Sequence, residues 1–205
     1  MRLLVIGAGG HAKVVVDAAR EAGFDIAGVL GRPGDPAEVL GIPVVMDGST
    51  IDADAFIVAI GDNTARAAAF AAGLEAGLVP ATVIHPSATL ADEIEIGRGT
   101  FAAAGVIVNV NARIGENVIL NTGCTVDHDC LVEDHAHIAP GANLCGGVSV
   151  GEGTLVGVGS CALPGASIGA WATIGAGAAV TEPIGDGVTT VGVPARPLHP
   201  AEDAT

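Results

Sequence analysis

Cys124-Thr125-Val126-Asp127-His128-Asp129-Cys130-Leu131-Val132-Glu133-Asp134-His135-Ala136-His137-Ile138-Ala139-Pro140-Gly141 places an aliphatic residue at every sixth position (Val126, Val132, Ile138) and a small residue two places before each (Cys124, Cys130, Ala136). The register continues without a slip from Leu90 to Val180. It passes through Ile96, Ala102, Val108, Ile114 and Leu120 upstream, and Leu144, Val150, Val156, Ala162, Ile168 and Ile174 downstream. Gly often follows the aliphatic position, as at Gly97, Gly115, Gly151, Gly157, Gly169 and Gly175. A period of six matches neither a helix nor a simple strand alternation, but it is the repeat of a parallel β-helix. Short strands that turn residues i−2 and i inward, joined by tight turns, generate it. Three such sides make a triangular coil of about 18 residues, so this stretch supplies about five coils.

The composition agrees with a narrow prism. Half of the 205 residues are apolar but only 2% are aromatic, with one Trp and no Tyr. Residues 153–181 carry no charge, yet their glycines and strict period describe a prism wall rather than a membrane span. A net charge of −15 argues against a nucleic-acid-binding surface. An anionic ligand would have to be held by backbone N–H groups and a few placed side chains. Cys124 and Cys130 fall on the inward small stripe and read as core residues, not as a disulfide or metal site. The chain begins Met1-Arg2 and enters a strand directly, so no signal peptide is expected and a cytoplasmic location follows.

Residues 1–85 have a different pattern. Leu3–Ile6 reads as a buried strand, followed by Gly7-Ala8-Gly9-Gly10-His11-Ala12 and a helix to about Ala22. Ile26–Leu30, Val44–Val45 and Phe56–Ile60 read as further strands, and Thr64–Ala76 as an Ala-rich helix. Strand, Gly turn, helix, strand opens a doubly wound parallel sheet, here an α/β Rossmann-like domain. In Gly7-x-Gly9-x-x-Ala12 the glycines allow a tight turn and close approach of a phosphate to the helix N-terminus. The acidic residue that usually ends the second strand of an NAD site is replaced by Gly31-Arg32, and the domain is short. A mononucleotide, or the nucleotide part of a larger ligand, therefore fits better than NAD. Asp62 and Asn63 follow the Phe56–Ile60 strand at the edge where such ligands sit; Asp62 reads equally well as a helix N-cap. Ile84-His85-Pro86-Ser87 separates this domain from the β-helix of residues 86–205.

Asn121 to Cys130 is the most polar part of the repeat, and His135 and His137 follow closely. Repeat phase puts His128 and Asp129 at an outward corner, and His137 in mid-strand, also outward. A corner imidazole suits a general base, and an adjacent carboxylate, Asp127 or Asp129, can fix its tautomer and raise its basicity. A solvated His on a polar turn fits the same spacing.

Gly7 to Val15, Ala59-Ile60-Gly61-Asp62-Asn63, Ile84 to Ala88, Asn121 to Cys130 and Val191-Gly192-Val193-Pro194-Ala195-Arg196 are together similar to the bacterial nucleotide-sugar acetyltransferases. That family joins a short Rossmann-like domain to a left-handed β-helix. It includes the N-acetyltransferases of bacillosamine precursors and GDP-perosamine, and sialic acid O-acetyltransferases. The resemblance covers nearly the whole chain. It implies His128 as general base, Asp129 as its acidic neighbour and Asn121 as a polar residue lining the catalytic site. It further implies that His137 lies near the thioester, that the Gly146 N–H faces the acetyl oxygen, and that Val158 and Ala176 also contact the coenzyme. The nucleotide would sit on Gly7, Ala8, Gly9, Gly10 and His11, near Asp62 and Asn63. Acetyl-CoA would be a co-substrate with no tightly bound cofactor and no metal. Left-handed crossovers, a homotrimer and a place in O-antigen or glycan biosynthesis are implied as well.

The reaction expected is direct attack by the amine of a nucleotide-linked 4-amino-4,6-dideoxy sugar on the acetyl-CoA carbonyl. GDP is weakly favoured over UDP. O-acetylation of a sialic acid or another sugar would use the same base. A zinc carbonic anhydrase built from His128, His135 and His137, and a non-enzymatic nucleotide-binding module, are the rivals from other classes.

Overall fold

The computed structural model describes residues 1–198; residues 199–205, the end of the expected 86–205 domain, lie outside the described part. The N-terminal chain builds β1 (Arg2–Ile6), α1 (Gly10–Glu21), β2 (Asp25–Leu30), β3 (Glu38–Val39), β4 (Ile42–Val45), β5 (Ala55–Val58), α2 (Asn63–Glu75) and β6 (Val79–Pro80). The sheet order is β3-β4-β2-β1-β5-β6, parallel except for the β3–β4 hairpin. The three central strands carry the apolar runs read from the sequence, buried as Leu3, Val5, Val29, Phe56 and Ile57. Val15, Val16, Ala18 and Ala19 give α1 an apolar stripe, and that stripe packs into the same core as the first coils of the β-helix.

The parallel β-helix follows without a break. One face stacks Val83–Ile84, Phe101–Ala102, Ile119–Leu120, His137–Ile138, Leu155–Val156, Thr173–Ile174 and Thr189–Val191. Thr89–Leu90, Ile107–Val108, Thr125–Val126, Asn143–Leu144, Cys161–Ala162 and Ala179–Val180 form the second. Glu95–Ile96, Arg113–Ile114, Leu131–Val132, Ser149–Val150 and Ser167–Ile168 form the third. Partners along each ladder are one coil apart, as Phe101 with Ile119 and Ile119 with His137. The first ladder begins at Val83–Ile84, which overlaps the segment 84–87 read as linker. From Thr100 onward both inward stripes are buried, including Cys124 and Cys130, while Ala88, Leu90, Ile94 and Ile96 of the first coil are partly buried.

The corners explain the small and polar residues between strands. Each corner needs one residue in the left-handed region, where Gly, Asn, Asp and His are tolerated best. Gly105, Gly123, Gly141, Gly159 and Gly177 line the first corner; Asn111, Asp129, Gly147 and Gly165 line the second. Gly99, Asn117, His135, Gly153, Trp171 and Gly187 line the third. Trp171 is the bulky exception, its indole lying flat on Gly153, where a Cβ would collide with the ring.

The third corner is where the domains dock. Phe70, Arg66 and Asn63 lie four and three residues apart, so they share one face of α2. Phe70 covers Gly99, Arg66 donates to the carbonyls of Asn117 and His135, and the Asn63 amide donates to Gly153 O at 2.8 Å.

Candidate active site

At the second corner, His128 and Asp129 stand as the repeat phase requires. The His128 ring is 56% exposed and its Nδ1 lies 2.8 Å from Asp129 Oδ2. A carboxylate only accepts, so Nδ1 carries the hydrogen and Nε2 keeps its lone pair free. Asn111 donates to the other Asp129 oxygen at 3.1 Å. Asp127 plays a different part, because its carboxylate accepts from the His128 N–H and from the Asn109 amide, both at 2.8 Å. The hydrogen bond to Asp129 is the main cause holding the His128 pKa above its ordinary value, with the charges of Asp127 and Asp129 adding to it. Asp129 is lowered in turn, first by the His128 bond and then by Asn111. Gly146, one coil below, lies under the imidazole, and its N–H has no acceptor among the described residues.

His137 and Asn121 form a second cluster on the first face. The Thr122 N–H donates to Asn121 Oδ1 at 2.8 Å, which fixes that amide and turns Nδ2 toward His137 Nε2 at 3.0 Å. His137 Nε2 therefore accepts, and Nδ1–H donates to Gly61 O at 3.3 Å. The structure thus places Asn121 on His137 and not beside His128. The ring of His11 lies 6.4 Å from that of His137 and edge-on to Phe101 at 5.5 Å, and its Nε2 is buried without a partner among the described residues. Burial, then the Arg66 charge, lowers the His11 pKa to about 4. Burial, Arg66 and His11 together lower that of His137 to about 4.

The Gly turn has the form expected of an anion site. Gly7 sits at φ +112° with Ile60 and Ala59 against the place of its missing side chain, while the same place at Gly9 is open. The N–H groups of Gly9, Gly10 and His11 have no backbone acceptor among the described residues. Beside the turn, Ile6, Leu30, Gly31, Ile51, Ile60 and Ala69 border a largely apolar cavity of about 800 Å³. At Gly31 a Cβ would strike the Val44 side chain, so an acidic side chain cannot stand there. Asp35 brings a carboxylate to the same place: it accepts from the Arg32 N–H at 2.7 Å, and Oδ2 is 3.0 Å from the vacant Cβ position. A Gly-Asp turn beyond the second strand was the only trace of this in the sequence.

Asp62 and Asn63 both have partners within the chain. Asp62 is a helix N-cap, accepting from the Ala65 N–H at 2.8 Å. Both ends of the Asn63 amide are engaged at the domain junction, with Gly153 O and with Arg66, which leaves it poorly placed to meet a ligand. His135, two residues from His137, faces α2: its Nδ1 pairs with the Asn117 amide at 2.9 Å and its ring meets Phe70 edge-on. His128, His135 and His137 thus occupy the second corner, the third corner and the first face, and among the described residues no His, Cys, Asp and Glu group is arranged to hold a metal ion. Val158 and Ala176 flank the first corner, one coil apart, next to Gly159 and Gly177.

Arg66 is the residue sequence reasoning missed. It is fully buried, and its three nitrogens donate to six acceptors. Nε reaches Asn117 O at 3.0 Å; Nη1 reaches Ile60 O, Gly61 O and Asn63 Oδ1 at 3.2, 3.4 and 2.8 Å; Nη2 reaches His135 O and Ala136 O at 2.5 and 3.2 Å. Burial lowers its pKa to about 10, with partial opposition from Asp62.

Residues 2–72 match the family model described as the PglD N-terminal domain. A histidine-to-asparagine mutant of perosamine N-acetyltransferase from Caulobacter crescentus, in complex with CoA and GDP-perosamine, is 37% identical to the chain, with a TM-score of 0.93 over 98% of both chains. The acetyltransferase domain of PglB from Neisseria gonorrhoeae, in complex with acetyl coenzyme A, is 35% identical, with a TM-score of 0.90 over 96% of this chain and 98% of that one. WeeI from Acinetobacter baumannii is 26% identical, with a TM-score of 0.89 over 97% of this chain and all of that one. The fold they share turns its crossovers against the usual right-handed rule. The chain belongs to the nucleotide-sugar acetyltransferases built on a Rossmann-like domain and a left-handed β-helix.

Proposed function

We propose that this enzyme transfers acetyl from acetyl-CoA to the amine of a nucleotide-linked 4-amino-4,6-dideoxy sugar, with His128 as general base. The observation that carries the reading is the His128 arrangement: Nδ1–H held by Asp129, Nε2 open, and the unpaired Gly146 N–H directly beneath. The amine lone pair attacks the thioester carbonyl carbon, and its proton passes to His128 Nε2. Asp129 stabilises the imidazolium, and the Gly146 N–H takes the developing oxyanion, a contribution of about 3–4 kcal/mol in comparable sites. The tetrahedral species then expels the CoA sulfur, which receives the proton back from His128. Cys130 is no acylated nucleophile on this account, since its sulfur points into the prism and donates to Cys145 O at 3.2 Å.

The diphosphate would lie on the Gly9 to His11 N–H groups, with the base in the neighbouring apolar cavity and Asp35 within reach of the ribose. The relatives with GDP-perosamine bound favour GDP as the nucleotide. His128 stands at the second corner, whereas His137, His11 and the Gly turn belong to the opposite first face. One chain therefore supplies two half-sites, and a homotrimer in which His128 of one copy meets the His137 side of the next would complete them. No helix of the described residues is long and apolar enough to cross a membrane, and we assign the enzyme to cytoplasmic glycan biosynthesis.

The test is purified enzyme with acetyl-CoA and a panel of GDP-, UDP- and dTDP-linked 4-amino sugars and their 4-hydroxy counterparts. Release of CoA thiol with an amino sugar, fastest with GDP, is expected. Turnover of the hydroxy sugars alone would make the enzyme an O-acetyltransferase, and no turnover of any would reject the reading.

A further inference from the structure

Arg66 is the charged side chain that the fold buries completely among the described residues. A guanidinium removed from water is tolerated only when its N–H groups are matched, and an apolar residue could seal a domain junction at lower cost. Its acceptors are carbonyls and one amide, with no carboxylate in ion-pair contact among the described residues. Those acceptors surround His137. His135 O and Ala136 O are the two carbonyls leading into the His137 strand, and Gly61 O accepts both from Arg66 and from His137 Nδ1.

We propose that Arg66 is a positioning residue for acetyl transfer, tying the Gly61 turn to the strand that starts at His137 and so holding that ring with Nδ1–H donated to Gly61 and Nε2 accepting from Asn121. The proposal rests on the acetyl-transfer reading above and names how one half of that site is kept in register. The guanidinium fork suits this role because it spans both domains at once; a lysine has three donors on one atom and cannot reach all of these carbonyls. The charge acts in the same direction as the geometry. His137 is faced by His11 from α1, Arg66 from α2 and the neutral Asn121 from the coil before, while Asp62 at the α2 N-terminus bears on Arg66. A ring in that setting stays neutral, and only a neutral ring keeps Nε2 as the acceptor of the Asn121 amide while Nδ1–H is held by Gly61.

Two measurements test this. In nitrogen–proton spectra of the imidazole rings of the wild-type protein, His137 should be the neutral Nδ1–H tautomer from about pH 5 to pH 9. An Nε2–H tautomer, or protonation in the ordinary histidine range, would overturn the proposal. Arg66→Lys should lower kcat about 10-fold or more while leaving the KM for acetyl-CoA within about 2-fold, and should mix the two His137 tautomers. Asn63→Ala, which removes one Nη1 acceptor and leaves the charge, should act in the same direction more weakly and serves if the lysine variant does not fold. Variants that lose thermal stability but keep wild-type kcat and a pure Nδ1–H signal would show Arg66 to be domain cement only. Failure of the wild-type enzyme to acetylate any amino sugar would remove the reaction reading, whereas the tautomer of His137 is decided without turnover.

Discussion

His128 and Gly146 occupy equivalent positions of successive coils, and the imidazole lies so close over the glycine that a Cβ there would come within 2.5 Å of both Cε1 and Nε2. The glycine is what allows the ring to lie flat with Nε2 accessible. Gly146→Ala should push the ring from its place and lower kcat by about 10²-fold, the usual cost of a displacement of about 1 Å. Melting should be unchanged, because the His128 ring is more than half exposed. An alanine variant with wild-type kcat would mean that the ring position is unimportant.

His128→Ala should reduce kcat by about 10²–10⁴-fold, the range for loss of a general base. Asp129→Asn should cost less and shift the pH profile. The Asp129 bond raises the His128 pKa, so the acidic limb of kcat/KM lies above the ordinary imidazole value in the native enzyme. Removing the anion makes the imidazolium less favourable, and the limb should move to lower pH. Asparagine tolerates the φ of +58° at position 129, so the corner should keep its shape. A limb that stays in place would separate Asp129 from the base.

His135 serves stability, although it lies only two residues from His137. His135→Ala removes the edge contact to Phe70, strands the Asn117 amide and places alanine at φ +59°. A loss of about 1–3 kcal/mol in denaturant unfolding is expected. An unchanged midpoint would show that the α2 docking is not carried by this contact.

His11 and His137 make the fold sensitive to acid. Each has a native pKa lowered to about 4, against an unfolded value near 6.5. Below the unfolded pKa the unfolded chain takes protons that the native chain refuses, so stability falls as pH drops from about 6.5 toward 4. The double variant His11→Asn, His137→Asn should flatten that part of the denaturant-midpoint curve. An equally steep curve would assign the acid sensitivity to the carboxylates instead.

The prism was legible because its period is a property of consecutive residues, and the same phase put His128 on a corner. The Rossmann-like strands were legible from their apolar runs. What the chain hides are contacts between distant coils. Arg66 lies in a stretch that reads only as an Ala-rich helix, yet its acceptors Asn117 and His135 are 51 and 69 residues away. Asn121 lies only seven residues from His128 in the chain, yet the coil carries it to His137, one strand up the first face. Asp62 could be a cap or a ligand on spacing alone, and the bond from the Ala65 N–H to Oδ1 shows the cap. Handedness leaves no mark on a six-residue period at all.

In the proposed homotrimer a complete site takes His128 from one copy and His137 from its neighbour. Equal amounts of His128→Ala and His137→Ala subunits, each inactive by itself, can be unfolded together and reassembled. In a cyclic assembly with random mixing, about one site in four then pairs an intact His128 with an intact His137. Recovery of about a quarter of the wild-type rate per site is the predicted result. If the two histidines act within a single chain, no mixed assembly contains an intact site, and activity that stays at the level of the separate variants would place both histidines of a site in one chain, against the proposal.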